Sequence, residues 1–109
     1  MHDVTGTGSC VVKKNNAHAI IWFNIYSSTA ISAKTSMTIT NVLPEGHNYV
    51  GSVNFTFMLP VLDTNYKPTG DYFNAQFVNN TRSILLISTN AHSSFRTQGT
   101  AMIPSWNIS

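Results

Sequence analysis

Three features of the sequence predict an all-β chain, a compact antiparallel barrel or sandwich of about seven strands. Apolar and polar residues alternate at period two in short runs separated by turn residues. No stretch sustains a helical period. Asn, Ser and Thr fill about a third of the 109 positions. Those side chains compete with a helix for backbone hydrogen bonds and suit strands and turns.

The strands follow in order. Cys10 to Lys14 is the first, and Asn15-Asn16 a hairpin turn, since Asn tolerates positive φ. Ala17 to Tyr26 carries Ala19, Ile21, Phe23 and Ile25 on one face and His18, Ile20, Trp22, Asn24 and Tyr26 on the other. Thr35 to Val42 sets Met37 and Ile39 opposite Ser36, Thr38 and Thr40, and ends at the turn Leu43-Pro44-Glu45-Gly46. Tyr49 to Leu59 alternates most clearly, with Val53, Phe55, Phe57 and Leu59 inward, and Pro60 limits its ladder. Asp63 to Asp71 is a loop with Pro68 and Gly70. Tyr72 to Val78 turns Phe73, Ala75 and Phe77 inward. Asn79-Asn80 is a turn, Arg82 to Ser88 a strand, Thr89 to Ser94 a loop, and Phe95 to Ile103 the last strand, stopped by Pro104. Residues 1–8 read as a flexible leader or truncated linker and 9–109 as one β domain.

Composition narrows the function. Six Lys and Arg face four Asp and Glu, a net charge of +2, and charged residues are 9% of the chain. No basic cluster exists beyond Lys13-Lys14, which argues against nucleic acid as a partner. The longest apolar run, Ala19 to Phe23, is far below the roughly 20 residues of a span, so no membrane insertion is expected. No secretory signal is visible. The single Cys10 excludes an internal disulfide framework. His2, His18, His47 and His92 stand at no metal-ligand spacing, and no metal or other cofactor is expected. There is no nucleophile elbow and no phosphate-cradling Gly loop. Asp63 and Asp71 flank one loop, but two turn-forming aspartates explain them better than a glycosidase pair. The chain is read as a binding protein, with no catalytic residues.

The loop from Asp63 to Tyr72 is the best candidate for recognition. It combines Asp63, Tyr66, Asp71 and Tyr72 with amides, the mixture that binds sugars: rings pack on C–H faces while charged groups take hydroxyls. Arg82 follows the next turn, and His92 with Arg96 forms a second candidate. Elsewhere the alternation breaks down. The strand Ile84, Leu85, Leu86, Ile87 is apolar on both faces, and Ile20 and Trp22 sit opposite a full core face. Met58 and Met102 add to this second set. One sheet face cannot bury them all: either the barrel has a central strand covered twice, or a second apolar surface meets another subunit, and Ile20, Trp22, Ile84 and Leu86 are the residues expected at that interface.

The strand Ile20 to Ile25, the Thr-rich strand after it, Leu43-Pro44-Glu45-Gly46 and the closing Gly99-Thr100-Ala101-Met102-Ile103-Pro104 together resemble the head domains of receptor-binding and baseplate proteins of tailed bacteriophages, notably of the lactic-acid-bacteria phage type. The resemblance covers nearly the whole chain from Gly8. It implies a homotrimeric β-barrel on the virion, at the tail tip or baseplate, which meets other tail proteins and binds host cell-wall saccharide without covalent chemistry. Heads of this family join an aromatic, a carboxylate, His and Arg near a subunit boundary. The stretch Asp63 to Arg82 has no Trp, so Tyr66 or Tyr72 takes the aromatic's place. Two alternatives stay open: a structural trimer of a baseplate or capsid decoration, and a cellular trimeric β-sandwich binding module.

Overall fold

A computed structural model describes residues 2–4, 7–51 and 55–109. Period-two alternation builds one sheet: β1 (His2–Val4), β2 (Thr7–Lys14), β3 (His18–Ser27), β4 (Thr35–Ile39), β5 (Thr56–Leu62), β6 (Pro68–Phe77), β7 (Ile84–Ser88) and β8 (Phe95–Pro104). Their order is β1-β4-β7-β6-β5-β8-β3-β2. The seven strands β2 to β8 pair antiparallel, as the sequence predicts, and the three-residue β1 adds parallel to β4. Met1, Thr5 and Gly6 of the expected leader lie outside the described residues, while β1 and the first residues of β2 fall within it.

The sheet curls into a half-barrel. β1 and β2 stand at opposite ends of the strand order, yet Val4 and Thr7 are three positions apart in the chain. At about 3.6 Å per residue, those two edge strands approach within about 11 Å. The curl buries the inward positions of every strand from β3 to β8. Ile21, Met37, Ile39, Leu59, Phe73, Ala75, Phe77, Ile84, Leu86, Phe95 and Ile103 are all sealed from solvent. Gly99 takes an inward position on β8, where a Cβ would stand 2.5 Å from Leu59 Cδ2. Its missing side chain is the space that Leu59 fills.

The two ends of the half-barrel differ. Connections 28–34, 63–67 and 89–94 gather at one, called here the near end. The far end is closed by residues 40–51 of the connection after β4, by 78–83 and by the chain after β8. There Tyr49 stacks on Phe77 at 4.9 Å between ring centroids, and Phe77 also meets Phe23, Phe55 and Phe57.

Several expectations are corrected. Tyr49 to Leu59 is not one strand: Tyr49 makes isolated bridges to Thr81 and Ile108, and β5 starts at Thr56. Ser52, Val53 and Asn54 lie outside the described residues. Pro60 does not stop β5. Its carbonyl accepts a hydrogen bond from Thr97 Oγ1 at 2.7 Å, and past a register shift between Pro60 and Leu62 the strand goes on, with Val61 in the core and Leu62 buried opposite Arg96. The loop expected over Asp63 to Asp71 shrinks to 63–67, because Pro68 opens β6, a place where a missing N–H is tolerated. At Asn15 the turn forms through the side chain rather than through positive φ: Asn15 Oδ1 accepts from the amides of Ala17 and His18 at 2.8 and 2.7 Å. Asn80 does take φ 62°.

The expected interface set also divides. Ile84 and Leu86 point into the core, each 0% exposed, and no second chain can reach them there. Their neighbours Leu85 and Ile87 take the outer face and are half-buried. Ile20 and Trp22 stay on the outer face, with Trp22 40% exposed.

Candidate functional site

The near end collects five of the seven residues expected to bind a ligand. β5 and β6 deliver the first group through their tight connection. Asp63 N–H donates to Lys67 O at 2.8 Å, and Asp63 Oδ1 accepts from the amides of Asn65 and Lys67 at 2.8 and 3.0 Å. That carboxylate therefore works as a loop cap. The turn forces Tyr66 to φ 66°. A bulky residue in the left-handed region costs about 1–2 kcal/mol relative to ordinary backbone. The strain holds an exposed ring against Arg96, whose Cζ lies 4.3 Å from the Tyr66 ring centroid.

Arg96 arrives from β8, where it pairs with Leu62 on one side and Tyr26 on the other. Its Cζ also lies 4.8 Å over the Tyr26 ring, and Arg96 Nε donates to the Thr64 carbonyl at 3.1 Å. Two rings and one carbonyl thus fix the guanidinium plane.

Asp71 and His92 meet at the rim. His92 Nε2 lies 3.0 Å from Asp71 Oδ2, off the line of a directed hydrogen bond, so the contact is a charge and dipole contact. Asn90 Nδ2 donates to Asp71 Oδ1 at 3.1 Å. The His92 backbone exchanges both hydrogen bonds with Ile31, each 2.9 Å, and its ring stands edge-on to Phe73 at 5.9 Å. Connections 28–34 and 89–94 are pinned together by these bonds above the core.

The expected residues sort plainly. Asp63, Tyr66 and Arg96 form one cluster, and Asp71 and His92 a second at the same end. The two regions read separately in the sequence are thus neighbours in space. Tyr72 stands exposed on the outer face of β6 across from Pro60, away from both contacts. Arg82 is at the far end, where its Nε donates to Leu43 O at 2.8 Å. Tyr26, Asn90 and the Thr64 carbonyl were missed. Tyr26 was legible as an outward residue ending its strand, but its pairing with Arg96 depends on β3 lying beside β8.

The outer face of the same strands is apolar lower down. Val11 pairs with Trp22 and Trp22 with Thr100, while Ile20 pairs with Met102. Carrying the β5–β8 register on by three residues sets Met58 beside Thr100. Met58 and Met102 are 60% and 58% exposed. The patch crosses four strands, roughly 14 Å at about 4.8 Å per strand spacing.

Burial raises the Cys10 thiol to about 12, well above its ordinary value, which makes it a poor nucleophile at neutral pH. Among the described residues no three of His, Cys, Asp and Glu converge as metal ligands, and no helix is long and apolar enough to cross a membrane. No protein-family model, curated protein or solved structure matches this chain.

Proposed function

We propose that this domain is a receptor-binding head, which attaches a phage virion to host cell-surface saccharide by non-covalent binding. The observation that carries the reading is the near-end cluster. A guanidinium fixed over two tyrosine rings adjoins a rim carrying a carboxylate, an imidazole and an amide. An exposed ring offers a face for sugar C–H groups, and the fixed polar groups offer hydrogen bonds to hydroxyls. The reading is one of binding, with no bond made or broken.

Its second part is assembly. The outer patch of Val11, Ile20, Trp22, Met58 and Met102 is covered by neighbouring copies in a trimer, at the tail tip or baseplate. Met and Trp are favoured at buried interface cores. Weak individual sites then gain strength by threefold avidity. The patch alone also favours a second reading, a structural trimer without a ligand.

The deciding experiment is a glycan array and a host cell-wall binding assay on the purified chain, with Tyr66→Ala and Asp71→Ala as variants. Each should lose about 1–3 kcal/mol, roughly ten- to a hundredfold in affinity, while staying folded. Folded variants that bind normally overturn the assignment of this site. Sedimentation at three times the monomer mass, lost in Trp22→Ser, is expected of the assembly. A soluble wild-type monomer at micromolar concentration removes it. A trimer that binds no glycan leaves the structural reading.

A further inference from the structure

Among the residues whose side chains the structure describes, Arg96 has no ionic partner. Asp63, Asp71 and Glu45 are the acidic residues whose side chains the structure describes, and each is used or placed elsewhere. Asp71 holds His92 and Asn90. Asp63 caps its own loop. Glu45 lies in the far-end turn. None of these three stands within ion-pair distance of Arg96, and the one hydrogen bond of its side chain uses Nε, which leaves both terminal nitrogens without a partner among the described side chains.

This is an unusual state for a cation that is held so firmly. An exposed cation–ring contact returns little stability, and a surface Arg normally keeps its rotamer freedom. Here Tyr26 and Tyr66 lie under the plane at 4.8 and 4.3 Å, the Thr64 carbonyl fixes the Nε edge, and Tyr66 sits at a strained φ of 66° to do so. The arrangement holds the guanidinium plane at three points and leaves its terminal pair of donors unanswered among the described side chains. That geometry matches the two oxygens of a carboxylate or phosphate, which a guanidinium takes bidentately and an ammonium cannot. Lys67 follows Tyr66 in the same loop and adds positive charge there.

We propose that Arg96 is the receptor for an anionic group, a carboxylate or a phosphate, carried on the bound saccharide. The inference rests on the saccharide reading above and narrows it to acidic glycans. The Tyr66 ring takes the sugar face next to the anion, and the terminal N–H groups of Arg96 take its oxygens.

The test has two arms, both on the full chain. In the first, the Nε–H resonances of the arginines are followed by NMR while sodium phosphate or sodium acetate is added. The Arg96 signal should shift saturably with at least one anion while the Arg82 signal, bonded to Leu43 O, stays in place. In the second, an array presents matched oligosaccharide pairs: uronic-acid oligomers beside their carboxyl-reduced forms, and phosphorylated oligomers beside their dephosphorylated forms. The pair that responds identifies the anion. The acidic member should bind at least about tenfold tighter. Arg96→Gln should abolish the preference, and Arg96→Lys should restore only part of it. An Arg96 signal unmoved by both anions, or neutral members bound as tightly as acidic ones, overturns this inference and leaves the saccharide reading standing. An array with no binder at all overturns both. The wild-type comparison needs no variant, so a misfolded Arg96→Gln protein does not rescue the idea.

Discussion

At the far end of the half-barrel Arg82 donates Nε–H to Leu43 O, and its own carbonyl accepts the amides of Val42 and Leu43. At the near end Arg96 makes the same Nε bond, to Thr64 O, but lies over two exposed-side rings with its terminal nitrogens unused. One arginine is absorbed into the closure of the fold and the other is displayed by it. The surroundings follow suit. Around Arg82 the aromatic rings of Tyr49, Phe55, Phe57 and Phe77 pack on one another. Around Arg96 the rings pack on charge. Residue type therefore does not separate a structural arginine from a binding one here. What separates them is the setting of the guanidinium: Arg82 ties into the closure at Leu43, while Arg96 lies over two rings of the outer face.

The contrast breaks most easily at the far end. Phe77→Ala should cost about 3–5 kcal/mol in denaturant unfolding, since the ring is fully buried among four others. A loss below about 1 kcal/mol would mean that the far end does not anchor the fold. Next comes Arg82→Ala, expected to cost about 1–3 kcal/mol because the carbonyl of the buried Leu43 loses its donor. Arg96→Ala should cost under about 1 kcal/mol, the worth of a half-exposed cation–ring contact. Equal losses from the two arginine variants would erase the distinction.

Tyr66→Gly sharpens the comparison further. Glycine takes φ 66° without strain, so stability should stay level or rise by up to about 1 kcal/mol while saccharide affinity falls. A variant that unfolds more readily and still binds would show the ring to be structural. The smallest effect at neutral pH is that of Cys10, midway along β2 and opposite Phe23. Its folded value near 12 exceeds the ordinary 9.0. Stability from this group is therefore complete below pH 9.0 and is lost as pH climbs from there toward 12. At pH 8 a thiol reagent should modify native protein at least about 100-fold more slowly than protein in urea. Equal rates would place the thiol in solvent.

Much of the fold was legible because burial is one-sided. Ala19, Ile21, Phe23 and Ile25, or Phe73, Ala75 and Phe77, announce an inward face by alternation alone. Where both faces are apolar the signal fails: nothing local tells Ile84 and Leu86 from Leu85 and Ile87, and the wrong pair was assigned outward. Tyr49 misled for a related reason. It is buried like a strand residue, but by a connection crossing the far end. The site was half legible. Asp63, Tyr66 and Asp71 declare themselves by clustering in one loop, while the Arg96–Tyr66 contact spans 30 positions and exists only because β5 lies beside β8. Arg82 was grouped with that loop, yet the length of β6 carries it to the far end, where it ties to Leu43.

The place of β8 in the strand order has a kinetic consequence. β8 lies between β5 and β3, so without it the sheet is two pieces, the β2–β3 hairpin and the β5–β6–β7–β4 meander. β2–β3 and β5–β6–β7 can form from near neighbours in sequence, whereas β4 reaches β7 across the chain from Ile39 to Ile84, and the union of the two pieces waits for a strand made after both. The joint closes over a long stretch of chain, from Ser27 to Phe95, and such non-local closure places folding in the range of about milliseconds to seconds. The Arg96 cluster straddles that seam: Tyr26 comes from the hairpin, Tyr66 from the meander and Arg96 from the strand between them. A ligand held there acts as a rivet across the two pieces. Occupancy should slow the exchange of amide hydrogens along β8 more than along β6 or β7, because binding and seam closure draw on one equilibrium.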